Sequence, residues 1–272
     1  MANDGQHASR KGFFTDTSIC IGCKACEVAC KSWNQLPDDG FHFTGNSYDN
    51  TGHLGASTWR HVSFVERPVA LSQQQSGLGN FSWLLMSDVC KHCQRAACLE
   101  ACPTGAIVRT EFDSVFVQPD VCNGCGYCVV ACPFGVVDRK EDDGRAWKCT
   151  LCYDRLRDDM QPACAQVCPT DSIRFGDVEE LQAIARKRVE ELHAAGVGEA
   201  RLYGEDAASQ PGTEGLNAFF LLLDAPEVYN LPPDPVVPTK KAGALWGSVG
   251  MAALGLGAMA LGAVLVGRGG SR

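Results

Sequence analysis

Sixteen cysteines, all absorbed into four quartets, restrict this 272-residue chain more than any other property. The quartets are Cys20, Cys23, Cys26 and Cys30; Cys90, Cys93, Cys98 and Cys102; Cys122, Cys125, Cys128 and Cys132; and Cys149, Cys152, Cys164 and Cys168. So many cysteines in a short chain ordinarily signal a disulfide scaffold. Here every quartet opens with two cysteines three positions apart, a spacing that seldom reaches disulfide geometry and commonly holds a metal. The thiols are therefore read as metal ligands, and the fold must be built around them.

The stretch CNGCGYCVVACP at residues 122–133 is the clearest of the four. Its first three thiols fall at i, i+3 and i+6, and Asn123, Gly124 and Gly126 let the backbone turn tightly around one metal–sulfur corner. The fourth, Cys132, follows four residues later and precedes Pro133. Zinc is the rival reading, because paired Cys-x-x-Cys loops also close tetrahedral zinc sites. Zinc ribbons do not place a third cysteine at i+6 ahead of Cys-x-x-x-Cys-Pro, a form that with near variants occurs here in all four quartets. Runs of this spacing bind [4Fe-4S] clusters, and their fourth cysteine ligates the other cluster of a pair. Each quartet thus needs a partner, and the sixteen thiolates account for four clusters; spacing alone leaves the partners open, a third-with-fourth pairing included. With only thiolates on offer there is no open coordination position, which points to one-electron transfer rather than substrate chemistry.

The formal charge of -8 counts the thiols as neutral, so a cluster-loaded body is more negative still and nucleic acid is not an expected ligand. Residues 1–18 hold no apolar run of the kind a secretory signal requires, so export of this chain is expected to depend on a partner. The six histidines are scattered, and only His92, between Cys90 and Cys93, invites a role: it either tunes the adjacent metal group by charge or hydrogen bonding, or faces solvent. No triad, phosphate loop or paired-carboxylate pattern is present, so a non-catalytic subunit is expected.

Taken in order, residues 1–12 read as a polar arm and 13–19 lead into the first quartet, where Gly22 and Ala25 keep the loop compact and Lys31 replaces the proline that follows the other quartets. Residues 58–66 and 80–86, rich in aromatic and β-branched side chains, predict two strands turned around Gly77 and Gly79. Trp33, Trp59 and Trp83 are expected as core and cluster cover. CPTGAI, CPFGVV and CPTDSI, from Cys102, Cys132 and Cys168, repeat one unit, a helix end dropping through a turn into a strand, and residues 115–117 supply a further strand. Eleven residues separate Cys152 from Cys164.

After Gly176 the period becomes helical: Val178, Leu181, Ile184, Ala185, Val189 and Leu192 share a face, Asp177 with Glu180 suggests a capping box, and Gly196 a stop. Residues 216–223 form an apolar run of strand length, and five prolines in 226–238 predict an extended strap. Residues 242–267 carry no charge, and a helix of that length reaches roughly 39 Å, more than a bilayer core of about 30 Å. Gly243 and Gly247, four apart, favour close approach of another helix there. The fold expected is α+β: two fused ferredoxin-like [4Fe-4S] modules plus a C-terminal transmembrane helix. The divisions are 1–176 for the double iron–sulfur domain, 177–240 for the bracing helix, strand and strap, and 241–268 for the membrane helix.

The stretches CIGCKACEVACKSWN, CGYCVVACPF, KCTLCYDR and PACAQVCPT resemble the iron–sulfur β subunit of membrane-bound, molybdenum- or tungsten-dependent formate dehydrogenases. The similarity runs on through LNAFFLLLDAPEVYNLPPDP to the single C-terminal span. Quartet spacing alone is common to a wider four-cluster ferredoxin family, with subunits of hydrogenases and of nitrate, polysulfide and dimethyl sulfoxide reductases; the tail and anchor narrow it. The resemblance implies a nested pairing. Cluster one would be held by Cys20, Cys23, Cys26 and Cys168, and cluster two by Cys30, Cys149, Cys152 and Cys164. Cluster three would take Cys90, Cys93, Cys98 and Cys132, and cluster four Cys102, Cys122, Cys125 and Cys128. It also implies a catalytic α subunit with a molybdenum- or tungsten-pterin, whose electrons pass from cluster one to cluster four and on to haem b or quinone in a membrane γ subunit. The alternative is the same service to a hydrogenase or to a polysulfide or other molybdopterin reductase. Lys240 and Lys241 before the span offset Arg268 and Arg272 after it, so charge does not orient it; the resemblance favours a body on the outer face of the cell membrane, with the cytoplasmic face the alternative.

Overall fold

Phe13 and Phe14 sit side by side in the first strand and, because successive strand residues point to opposite faces, they open two separate cores. The computed structural model describes residues 10–40, 45, 48–68 and 81–269. Strand β1 (Lys11–Asp16) begins within the stretch expected as an arm: Arg10 pairs with Glu179 at 3.2 Å and Lys11 with Asp177 at 3.0 Å. There follow α1 (Ala25–Asn34), β2 (Arg60–Pro68), β3 (Phe81–Val89), α2 (Ala97–Glu100), β4 (Ile107–Arg109), β5 (Val115–Val117) and α3 (Tyr127–Ala131). Then come β6 (Asp138–Arg139), β7 (Ala146–Trp147), α4 (Tyr153–Arg157), α5 (Ala163–Gln166), β8 (Ile173–Asp177), α6 (Val178–Ala194), β9 (Arg201–Tyr203), β10 (Ala218–Leu222) and α7 (Ala242–Gly269).

The main sheet has the order β8-β1-β10-β9. Strand β10 runs parallel to β1, with Phe13 opposite Ala218 and Phe14 opposite Phe219, while β8 and β9 are antiparallel to their neighbours. Its sequence AFFLL is buried at every position, which is how a central strand covered on both faces reads. The late segment of the protein thereby lies in the same sheet as the strands that flank the first and last quartets. Close approach of β1 to the segment before β10 depends on Gly12, where an added Cβ would lie 1.9 Å from the Asn217 carbonyl oxygen and 2.8 Å from Val178 Cγ2. Gly12→Ala is expected to cost about 1–3 kcal/mol through overpacking, read as a lower midpoint in thermal or denaturant unfolding; an unchanged midpoint would mean that the strand spacing relaxes freely.

Phe13 faces the core that contains the cysteines; Phe14 faces one made with Leu181, Ala185, Leu192, Phe219, Leu221 and Tyr229. Helix α6 covers that second core with Val178, Leu181, Ala185 and Leu192, but Ile184, expected on the same face, is 40% exposed because it falls at the edge of the stripe. Asp177 stands at the helix start without making a capping hydrogen bond, its carboxylate being held by Lys11 instead. Gly196 ends the helix as expected, in a left-handed conformation (φ +88°), with Val197 N–H on the Leu192 carbonyl and Gly196 N–H on that of His193.

Each strand of the β2–β3 hairpin starts slightly later and runs two or three residues further at its C-terminal end than the sequence predicts, and the turn near Gly77 and Gly79 lies outside the described residues. Of the three tryptophans expected as cover, only Trp59 is buried. Trp33 and Trp83 are 41% and 38% exposed, Trp33 being held at the surface by a 2.7 Å hydrogen bond to Asp154 and by the Arg155 guanidinium over its ring. The proline-rich strap is not wholly extended: Pro226–Tyr229 forms a 3-10 turn that buries Tyr229. A second such turn, Pro238–Lys241, leads into α7, which is long and apolar enough to cross a membrane and packs none of its described side chains into the body. That turn is latched: Thr239 donates to Glu100, and Lys240 pairs with Glu214 at 3.1 Å and donates to the Pro211 carbonyl.

Candidate metal centres

One backbone shape recurs at the opening of all four quartets. The residue just before the second cysteine is left-handed in each: Gly22 (φ +65°), His92 (+43°), Gly124 (+73°) and Leu151 (+61°). Two of these are bulky residues in a region that favours glycine, a strain of about 1–3 kcal/mol kept only where the surroundings fix it. The Cys-Pro turns show a second repeat, with Gly105, Gly135 and Asp171, each three residues after the cysteine, at φ +68°, +63° and +53°. Proline has no N–H of its own, and the residues beyond it turn theirs back onto the sulfur. Around Cys102, desolvation raises the thiol, but the Thr104 hydroxyl and the N–H groups of Thr104, Ile107 and Ala106 outweigh it and hold the group below its ordinary pKa. At Cys132 desolvation prevails despite N–H groups from Val136 and Phe134.

The fold gathers the sixteen thiols into four groups. Cys20, Cys23, Cys26 and Cys168 line one small cavity with Val62, Ser87 and Ser172, and Cys90, Cys93, Cys98 and Cys132 line another with His92, Val115 and Val136. Cys30 is buried against Cys149, Cys164 and Cys152, and Cys128 against Cys122, Cys102 and Cys125. Two helix contacts bring the groups about, α1 against α5 and α2 against α3. Burial, followed by repulsion between neighbouring thiols, pushes Cys128 up to about 11 and Cys30 well up. Burial likewise lifts Cys26 to about 11 and Cys98 to about 12, and there the Arg60 and Lys148 cations oppose it.

Crowded, buried sulfurs of this kind become thiolates only around strongly positive metal, and their soft donor set fits iron–sulfur groups. Among the described residues, no three His, Cys, Asp or Glu side chains are grouped so as to hold a single metal ion. Of all sixteen cysteines only Cys23 and Cys125 are exposed.

His92 does not face solvent. It is 1% exposed, its Nδ1 accepts the Val115 N–H at 3.1 Å, and its Nε2 has no hydrogen-bond partner among the described residues. Burial, then the nearby cations Lys148, Arg109 and Arg60, drive its pKa well down, so the neutral ring carries its proton on Nε2 and can offer that N–H to sulfur in the cavity it lines.

Three cations with no more than 2% of their surface exposed were not anticipated from sequence: Arg60, Lys91 and Lys148. Lys91 pairs with Asp88 and lies over the Phe134 and Phe220 rings. A usable signal existed for two of them, since Lys91 and Lys148 each adjoin the first cysteine of a quartet. Arg60 sits in an ordinary-looking strand and carried none.

Comparison with known proteins gives two matches to a 4Fe-4S dicluster domain, over residues 19–106 and 81–178. The chain is 38% identical over 235 residues to the nitrate-inducible formate dehydrogenase iron–sulfur subunit of Escherichia coli (strain K12), a match that covers 85% of this chain and 74% of that one. It is 39% identical over 226 residues to a formate dehydrogenase iron–sulfur subunit of Haemophilus influenzae, covering 82% and 68%. One polypeptide of the anaerobic dimethyl sulfoxide reductase of Escherichia coli (strain K12) is 37% identical over 175 residues, covering 63% and 75%.

Proposed function

This protein belongs to the family of the formate dehydrogenase iron–sulfur subunits, and from that premise we propose that it is the electron-transfer subunit of a formate dehydrogenase complex with four [4Fe-4S] clusters. The observation that carries the formate reading is the reach of the match. A match to 85% of the chain reaches the late strand and the strap even if it starts at the first residue, whereas one to 63% can end before them.

In this reading the four thiol groups are the four ligand sets. Cys20, Cys23, Cys26 and Cys168 hold cluster one, and Cys30, Cys149, Cys152 and Cys164 cluster two. Cys90, Cys93, Cys98 and Cys132 hold cluster three, and Cys102, Cys122, Cys125 and Cys128 cluster four. When bound, such clusters supply one-electron transfer between partners. The chain's own part is to hold the thiolates, to aim N–H groups at them and to bury the path. The two exposed cysteines belong to the first and last sets. Ile21 near Cys23, and Val121, Tyr127 and Val130 near Cys125, leave apolar side chains exposed where partners would dock.

The latch of Thr239 and Lys240 onto Glu100 and Glu214 ties the root of α7 to the helix that carries Cys98, next to Cys102. This supports cluster four as the membrane-side terminus beside α7 as a single-pass anchor; membership of the family supports a pterin-bearing catalytic subunit at cluster one and a haem b subunit beside the anchor. Two modules, quartets one with four and two with three, make up the body.

Anaerobically purified protein is expected to contain about sixteen iron and sixteen acid-labile sulfide per chain, and stoichiometric zinc would refute this. The native complex, purified through this chain, is expected to reduce a viologen dye with formate. A nickel-bearing partner with hydrogen-dependent and no formate-dependent activity would move the chain to a hydrogenase.

A further inference from the structure

Arg60 and Lys148 are 1% and 2% exposed, and among the described residues neither is paired with a carboxylate. Arg60 donates from Nη1 to the Ser87 carbonyl (3.2 Å) and hydroxyl (3.4 Å), donates from Nη2 to Cys164 Sγ (3.1 Å), and stacks over the Phe13 ring at 4.7 Å. Ser87 Oγ is in turn 3.2 Å from Cys26 Sγ, so the guanidinium stands between one thiol of the first set and one of the second. Lys148 donates to the Val115 and Cys149 carbonyls, and its ammonium faces Cys90, with Cys98 and Cys149 beside it; it therefore stands between the second and third sets. The largest charge influences on Cys128, in the fourth set, come from Cys122, Cys102 and Cys125.

Burying a cation without an anion is costly, and Arg cannot escape by losing its proton. A fold that keeps two such cations among thiols implies that the thiolate groups are their counter-charge. A fixed buried cation stabilises the more negative, reduced state of whatever redox group it adjoins. We propose that Arg60 and Lys148 set the reduction potentials along the electron path in overlapping pairs, Arg60 raising those of clusters one and two and Lys148 those of clusters two and three. This rests on the four-cluster reading above, and both act as positioning charges rather than ligands.

The test is a redox titration followed by electron paramagnetic resonance on the intact complex, in Arg60→Met and Lys148→Met variants, with iron and sulfide measured on each. Each neutral variant is expected to shift two signals to lower potential by at least a tenfold change in the reduced-to-oxidised ratio, about 59 mV for one electron. One signal should move in both variants, and one in neither. Arg60→Lys and Lys148→Arg, which keep the charge, should return the wild-type values. Full iron content with unmoved potentials overturns the proposal and leaves the cluster reading intact; wild-type protein that holds zinc instead overturns the cluster reading itself. If a neutral variant loses its iron, the charge-keeping variant decides: restored content with wild-type potentials supports the proposal, and restored content with displaced potentials refutes it.

Discussion

Cys30→Ala is expected to abolish or alter the cluster whose remaining ligands are Cys149, Cys152 and Cys164, while the one held by Cys20, Cys23 and Cys26 keeps its spectrum. The result is counter to sequence order, since Cys30 is four residues from Cys26 and far in sequence from Cys149. It follows from where α1 lies. Packed on α5, the helix turns Cys26 toward the cavity with Cys20, Cys23 and Cys168, and buries Cys30 against the last quartet. The third-with-fourth alternative would need Cys132 beside Cys149, but Cys132 lines the cavity of Cys90, Cys93 and Cys98. Loss of one ligand in a group with no spare donor should lower iron by up to about four per chain, measured beside the spectra. A spectrum changed only in the cluster of Cys20, Cys23 and Cys26 would break the nested assignment.

A chain ending after Lys241 is expected to leave salt-washed membranes almost completely when produced without partners, whereas the full chain stays. The described side chains of α7 pack nothing of the body, so its removal opens no core. The position of the cut matters, because Thr239 and Lys240 belong to the latch on Glu100 and Glu214, and a chain ending at Pro238 would lose that latch as well. Retention of the shorter chain in washed membranes would place the membrane attachment elsewhere, on the exposed apolar residues of the body.

The parts legible in the sequence were those with a local pattern: quartet spacing, the period and glycine stop of α6, the uncharged run of α7, the apolar run of β10. What escaped depended on distant residues. That Lys11 and Gly12 lie in a sheet is decided by Asp177 and Asn217, and no local feature of a polar stretch announces it. Trp33 and Trp83 look like core by size, but their positions on the outer sides of α1 and β3 leave them partly in solvent. The left-handed backbone at Gly22 and Gly124 has a residue to show for it; the same conformation at His92 and Leu151 does not. The buried cations escaped because charge reads as surface until the anionic neighbours are in place.

The parallel pairing of β1 with β10 sets a timetable for biogenesis. Strand β1 precedes every cysteine in the chain, yet its hydrogen-bonding partner β10 is made only after every cysteine has been translated. The groups from the second and third quartets close over short loops and can be filled early; those joining the first and last quartets must wait for long-range closure, which is slower. With the four clusters proposed above, metallation is therefore expected to proceed from the second and third quartets outward, with β10 as the seal and the thiols of the first quartet needing protection from oxygen in the meantime.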